Sequence, residues 1–265
     1  MGSRTPPPGD SGDEDPSRVR AMPVVLRFER ADPPARTPLL EAAATAALAL
    51  CLDERSEPGG PWHDEVVAWV AGRIRKVSRR ARGAHWAAVE DLPGVTVSVG
   101  GAQARALVPC LVTETSKVVT RLQISGTDLA PDSPVPPPEG VPVVWLNPDL
   151  ELSVGKAAAQ VGHATMLLAA SLPADALARW HADGLRCSVR VADPSRWTRL
   201  RAGAERGAGA ERGGGARGGA GAERGAGAGR GGEAERGGEA GRGVAVRDAG
   251  FTEVAPGTMT CIATW

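Results

Sequence analysis

Between residues 201 and 243 the chain contains only glycine (18), alanine (11), arginine (8) and glutamate (6), so everything able to form a core lies outside this tract. Without branched or aromatic side chains, the tract can bury nothing that offsets the entropy of ordering its backbone. Arg206, Arg212, Arg224, Arg230, Arg236 and Arg242 keep a six-residue register, the mark of a tandem expansion. The expectation is a disordered insertion over 201–243, except where its first residues finish a preceding helix, to about Arg206. Its GxGxxG match at Gly227, Gly229 and Gly232 follows no strand and opens no helix, so it is no nucleotide fingerprint. Eight arginines against six glutamates leave a small positive balance, and an inert spacer is the simpler reading than an RNA tether.

The core must be built with little aromatic mass. There are seven Trp, two Phe and no Tyr, so alanine and valine fill most of it around Trp62, Trp69, Trp145, Trp180 and Trp197. Residues 1–21 lack apolar side chains and read as a disordered tail. Met22–Glu29 reads as a strand, and Pro38 precedes a helix to about Leu52. A second helix is expected over Pro61–Arg82, because Val66, Val70, Ile74, Val77 and Ala81 fall on one stripe at helical spacing. Its opposite face would carry Arg73, Arg75, Lys76, Arg79, Arg80 and Arg82, a basic footprint able to hold phosphates or merely to be solvated. Gly100-Gly101 joins Gly94–Val99 to Ala102–Pro109 as a hairpin, and Thr115–Leu122 adds a helix. The Pro-rich stretch 131–140 is a semi-rigid linker. An α+β accessory domain is therefore expected over 22–130, separate from a second domain over 141–265.

In the second domain, Val141–Leu146 is a buried strand and the chain after Lys156 a helix to about Ser171. Ala174–Asp183 is another helix, stopped by Gly184. Cys187–Val191 is a strand, Ser195 caps a helix through Trp197, and Val244–Arg247 and Thr260–Trp265 are the last strands. Four strands with intervening helices indicate an α/β fold.

Several functions are excluded at this level. Basic and acidic residues are equal in number, 31 each, so no global field draws the chain to nucleic acid, and RNA binding must be local. Cys51, Cys110, Cys187 and Cys261 form no CxxC pair and read as buried thiols in a reducing compartment. His63, His85 and His181 show no ligand spacing, so neither a metal nor another cofactor is indicated. The run LLEAAATAALALCL is too short for a bilayer. No GxSxG elbow occurs. A soluble, cytoplasmic protein is expected.

Two segments carry chemistry. The first runs from the strand ending at Leu146 through Gly155-Lys156 into a helix of small residues, LNPDLELSVGKAAAQVGHATMLLAA. The second ends a strand at Asp248 and turns at Gly250, VAVRDAGFTEVAPGTMTCIATW. A lysine at a helix N-terminus and a carboxylate at a strand end can bind and polarise an anionic or ester group. These segments resemble the type-2 peptidyl-tRNA hydrolases. A Gly-Lys turn and AAQxxHA helix are matched by Gly155, Lys156, Ala158, Ala159, Gln160, His163 and Ala164. The pattern DAGxTxxxPGTxT is matched by Asp248, Ala249, Gly250, Thr252, Pro256, Gly257, Thr258 and Thr260. The resemblance covers residues 141–265, interrupted by the tract. Many members carry another Gly-Lys just upstream, where this chain has Ser153 and Val154.

The resemblance implies a small mixed four-stranded sheet with helices on both faces, a homodimer, tRNA as partner, and hydrolysis of the ester joining a peptide to the 3′ ribose. Hydrolysis needs an aligned water, a base, and positive charge where the carbonyl oxygen becomes an oxyanion. Lys156 fits the cationic role. Asp248 fits the base role, and pairing with an ammonium would make it align the water more than take its proton. Thr252 could hold the water or the ester oxygen. Gly155, Gln160 and Thr260 would line the substrate site, and Arg75, Arg79 and Arg80 would grip tRNA. His163, about two turns and ~10 Å beyond Lys156, is too distant to share the centre and reads as a packed helix residue. Each candidate has a plainer reading: an exposed lysine after a turn, an Asp capping a turn, ordinary turn and strand threonines. The alternatives are an inactive tRNA- or ribosome-binding module of the same fold, or a scaffold with no RNA role.

Overall fold

Residues 16–72, 74–213, 243–248, 254–255 and 257–265 are described by a computed structural model of the chain. The protein is a mixed α/β structure with two mixed sheets and, among the described residues, seven α-helices. By contact density it divides into two compact units, Met1–Ser133 with Leu152–His163, and Pro134–Glu151 with Ala164–Trp265.

In the first unit, β1 (Arg20–Arg27) is buried on both faces, which explains its unbroken apolar run. It pairs in parallel with β2 (Arg75–Ala81) and antiparallel with β4 (Ala102–Leu107), which pairs in turn with β3 (Gly94–Val99). A short β5 (Cys110–Leu111) joins the start of β1. Gly100 and Gly101 close the β3–β4 hairpin at φ +52° and +83°, the left-handed pair that a tight hairpin demands. The small-residue helix α1 (Arg36–Cys51) packs on β3 and β4. The shorter helices are α2 (His63–Val70), α3 (Gly83–Glu90) and α4 (Lys117–Thr120).

The helix expected over Pro61–Arg82 is instead α2 followed by β2. Gly72 ends the helix, and Ile74, at φ +42°, turns the chain into an edge strand whose backbone pairs with β1 over seven residues. Charged side chains are tolerated on such an edge. Alternation then splits the basic residues, with Arg75 and Arg79 on one face and Lys76 and Arg80 on the other. Val70 is 51% exposed, so the apolar stripe is not buried as a helix face would be. The expected tail also ends sooner: Pro16–Arg18 form a 3-10 turn and β1 begins at Arg20. Residues 1–15 lie outside the described ones, as does Arg73.

The second sheet has the order β7-β6-β9-β8, from β6 (Val143–Leu146), β7 (Ser188–Val191), β8 (Val244–Arg247) and β9 (Met259–Thr264). Helix α5 (Val154–Ser171) follows β6, and its residues through His163 count with the first unit. Helix α6 (Ala174–Ala182) precedes β7, and α7 (Pro194–Gly213) follows it. The cap of α7 is Asp193 rather than Ser195: its carboxylate accepts the Arg196 N–H at 2.9 Å and the Ser195 hydroxyl at 2.6 Å. The same helix continues past Arg206 to Gly213, and an Arg201–Glu205 pair at 3.0 Å supports its middle turns. The remainder of the tract, 214–242, lies outside the described residues. No helix among those described is long and apolar enough to cross a membrane.

Candidate active site

The Gly155-Lys156 segment is held by local capping. Ser153 immediately precedes α5, and its hydroxyl accepts the Lys156 N–H at 3.4 Å, while its carbonyl accepts the Ala157 N–H at 2.9 Å. The Gly155 N–H donates to the hydroxyl of Thr127, itself only 2% exposed, at 3.1 Å. A Cβ at 155 would come within 3.2 Å of that hydroxyl oxygen, a tight contact that Thr127 would have to yield to, and at an ordinary 3.5 Å from the Ser78 Cβ. Ser78 Oγ is buried and has no hydrogen-bond partner among the described residues. Lys156 and Gln160 are half-buried, one turn apart on α5. Val154 is fully buried.

Asp248 follows β8 and is 4% exposed. Its backbone closes the last loop in both directions, with the N–H donating to Thr258 O at 2.9 Å and the carbonyl accepting from Gly257 at 2.7 Å. Thr260 is fully buried on β9, its hydroxyl 3.4 Å from Val246 O. Because β6 and β8 both run antiparallel to β9, Asp248 leaves the same end of the sheet as Asn147, which follows β6. Asn147 ties that end together: its N–H donates to Thr260 O at 3.0 Å and its amide to Met259 O at 2.9 Å. Thr252 lies outside the described residues.

The three arginines assigned to tRNA have different surroundings. Arg75 lines a cleft of about 370 Å³ with Arg18, Arg20 and Trp69. Arg79 donates to Leu122 O at 2.8 Å, and burial lowers its pKa. Arg80 bonds the Gln123 side-chain oxygen. His163 faces Lys76, and burial, helped by that charge, pulls its pKa down to about 4. A neutral histidine at physiological pH follows. Burial pushes the Cys51 thiol up to about 11 and the Cys261 thiol up to about 12. No group of three or more metal-ligating side chains occurs among the described residues.

Three supporting residues were not expected from the sequence. Asn147 had a signal, since Asn before Pro at a strand end commonly bonds its own turn, and here it accepts the Asp149 N–H at 2.9 Å. Ser153 was legible as a helix cap. Thr127 acts from 28 residues upstream of Gly155 and leaves no local trace. No protein-family model matches the chain, and no curated protein matches it.

Proposed function

We propose that the protein is an esterase that hydrolyses the bond between a peptide, or an N-blocked aminoacyl group, and the 3′ ribose of tRNA. The observation that supports this reading is the local fold of the first motif segment together with the placement of Asp248. Gly155-Lys156 opens α5 after a buried strand, and Asp248 directly follows β8 as a buried residue. Chemically, Asp248 orients a water toward the ester carbonyl, and the Lys156 ammonium, aided by the helix end, steadies the developing oxyanion. Thr252 holds the water or the ester oxygen. The water's hydroxyl joins the carbonyl carbon, its proton goes to the departing ribose oxygen, and a peptide acid and free tRNA result. Gly155, Gln160 and Thr260 line the substrate site in this proposal, and Arg75, Arg79 and Arg80 contact tRNA. A second copy of the chain and a cytoplasmic setting complete it.

The test is release of the acyl group from N-acetyl-aminoacyl-tRNA by purified protein. Lys156→Ala and Asp248→Asn should each slow release by roughly 100-fold or more. Full rates in both variants would show the roles to be wrongly assigned. A second reading, a tRNA-binding module without turnover, draws on Val154, whose burial leaves that position without the extra cation. Tight, salt-sensitive tRNA binding with no release over hours would select it.

A further inference from the structure

The chain carries the same succession of elements twice. From β1 to β4 it runs strand, helix, helix, strand, helix, strand, strand, through α1, α2, β2, α3 and β3. From β6 to β9 it runs the same seven, through α5, α6, β7, α7 and β8. The strand orders correspond, β2-β1-β4-β3 and β7-β6-β9-β8, and so does every strand direction. Register agrees as well. Val25 pairs with Arg79 and Arg105, as Trp145 pairs with Arg190 and Ile262. Thr96 then pairs with Arg105, as Ala245 pairs with Ile262.

Strand order alone recurs in unrelated proteins. Matched backbone irregularities are more specific. Ile74 (φ +42°) and Leu185 (φ +55°) are the non-glycine residues with positive φ among those described. Each comes five residues after a tryptophan. Trp69 donates its indole N–H to Arg75 O, and Trp180 to Arg186 O, both at 2.8 Å. The offset from Trp69 to Trp180 is 180 − 69 = 111, and it holds through Arg79/Arg190, Ala81/Ala192, Trp86/Trp197 and Val89/Leu200. Ala81, Trp86 and Val89 join Val25 in one apolar cluster; Ala192, Trp197 and Leu200 join Trp145 in the other. Arg79 and Arg190 each donate to a backbone carbonyl, Leu122 O at 2.8 Å and Val135 O at 2.7 Å.

The copies differ where the chemistry would be. Counted along the strands from Thr96 and Ala245, the counterpart of Asp248 is Val99; a register shift after Val246 marks the second sheet alone at this end, and the loop to Thr258 is replaced by Gly100-Gly101. The alanine run that follows Lys156 in α5 follows Glu41 in α1. The first turn of α1 is also already occupied by a carboxylate of the chain, because Asp132 accepts the Thr37 N–H at 2.8 Å and its hydroxyl at 2.6 Å.

We propose that the chain is an internal duplication of one unit, in which the N-terminal copy is closed and the C-terminal copy alone keeps a reacting centre. The duplication stands without the hydrolase reading; the single centre rests on it. Two full-length variants test the duplication by thermal unfolding. One replaces Asp248–Thr258 by Val-Gly-Gly, and the other replaces Val99–Gly101 by the sequence of Asp248–Thr258. Because loop length alone alters stability weakly, a cooperative transition within a few degrees of wild type is expected. Its survival in either variant supports the duplication, and its loss in both overturns it. In the hydrolysis assay, Asp248→Asn should leave under about one hundredth of the wild-type rate, whereas a residual near half would reveal a second centre and overturn the proposal. A wild type without turnover would count against the hydrolase reading and leave unfolding to decide the duplication.

Discussion

Lys76 holds its ammonium 5.2 Å from the centre of the Trp69 ring, with the Ile74 carbonyl 3.4 Å away, and burial draws its pKa down to about 8. The Cys51 thiol on α1 and the His163 imidazole on α5 are the titratable neighbours. Between pH 8 and 10.5 the unfolded chain keeps a proton here that the folded chain has released, so this lysine makes stability rise with pH across that window. Below pH 8 its charge is a cost. Lys76→Met should therefore raise stability at pH 7 by on the order of 2 kcal/mol, with the gain shrinking above pH 8 in urea titrations. His163 has the same sign at lower pH. Its stability contribution is lost as pH falls from 6.5 to 4, and His163→Gln should flatten that part of the profile. At Gly155, alanine would meet the Thr127 hydroxyl oxygen at 3.2 Å. Gly155→Ala should destabilise by about 1 kcal/mol, and it should slow turnover more than binding if the helix end steadies an oxyanion.

At the scale of elements, β2 shows where sequence reasoning fails. Val66, Val70, Ile74, Val77 and Ala81 do fall at helical spacing, but a stripe says nothing about a left-handed residue in its middle. Ile74 is β-branched and strained at φ +42°. Ile74→Gly should relieve that strain and raise stability by about 1 kcal/mol, whereas unchanged or lower stability would mean that packing of the isoleucine dominates. The C-terminal elements were easier to read, because Gly155, Gly184 and the tract punctuate them and β6 and β8 have short apolar runs. The hairpin at Gly100-Gly101 was legible for the same reason. The candidate site was legible only as two motifs, and Thr127 was hidden by its separation in sequence. The duplication was hidden too. Insertions break it into several offsets, from 111 between Trp69 and Trp180 to 157 between Arg105 and Ile262, and few identities survive besides Trp, Arg and Ala.

At the scale of the whole molecule, the chain is two mixed sheets with a composition-biased tract inserted before β8. Removing 214–242 and joining Gly213 to Gly243 through a short Gly-Ser linker should preserve cooperative unfolding and acyl release, since nothing in that composition can contribute to a core. The account turns on Lys156 and Asp248 acting on one ester bond, and a double-mutant cycle in kcat/KM on N-acetyl-aminoacyl-tRNA tests that most directly. The expected result is that Lys156→Ala with Asp248→Asn is no slower than the worse single variant. Losses that multiply across the two substitutions would mean that the residues act independently, and a single reacting centre would be contradicted.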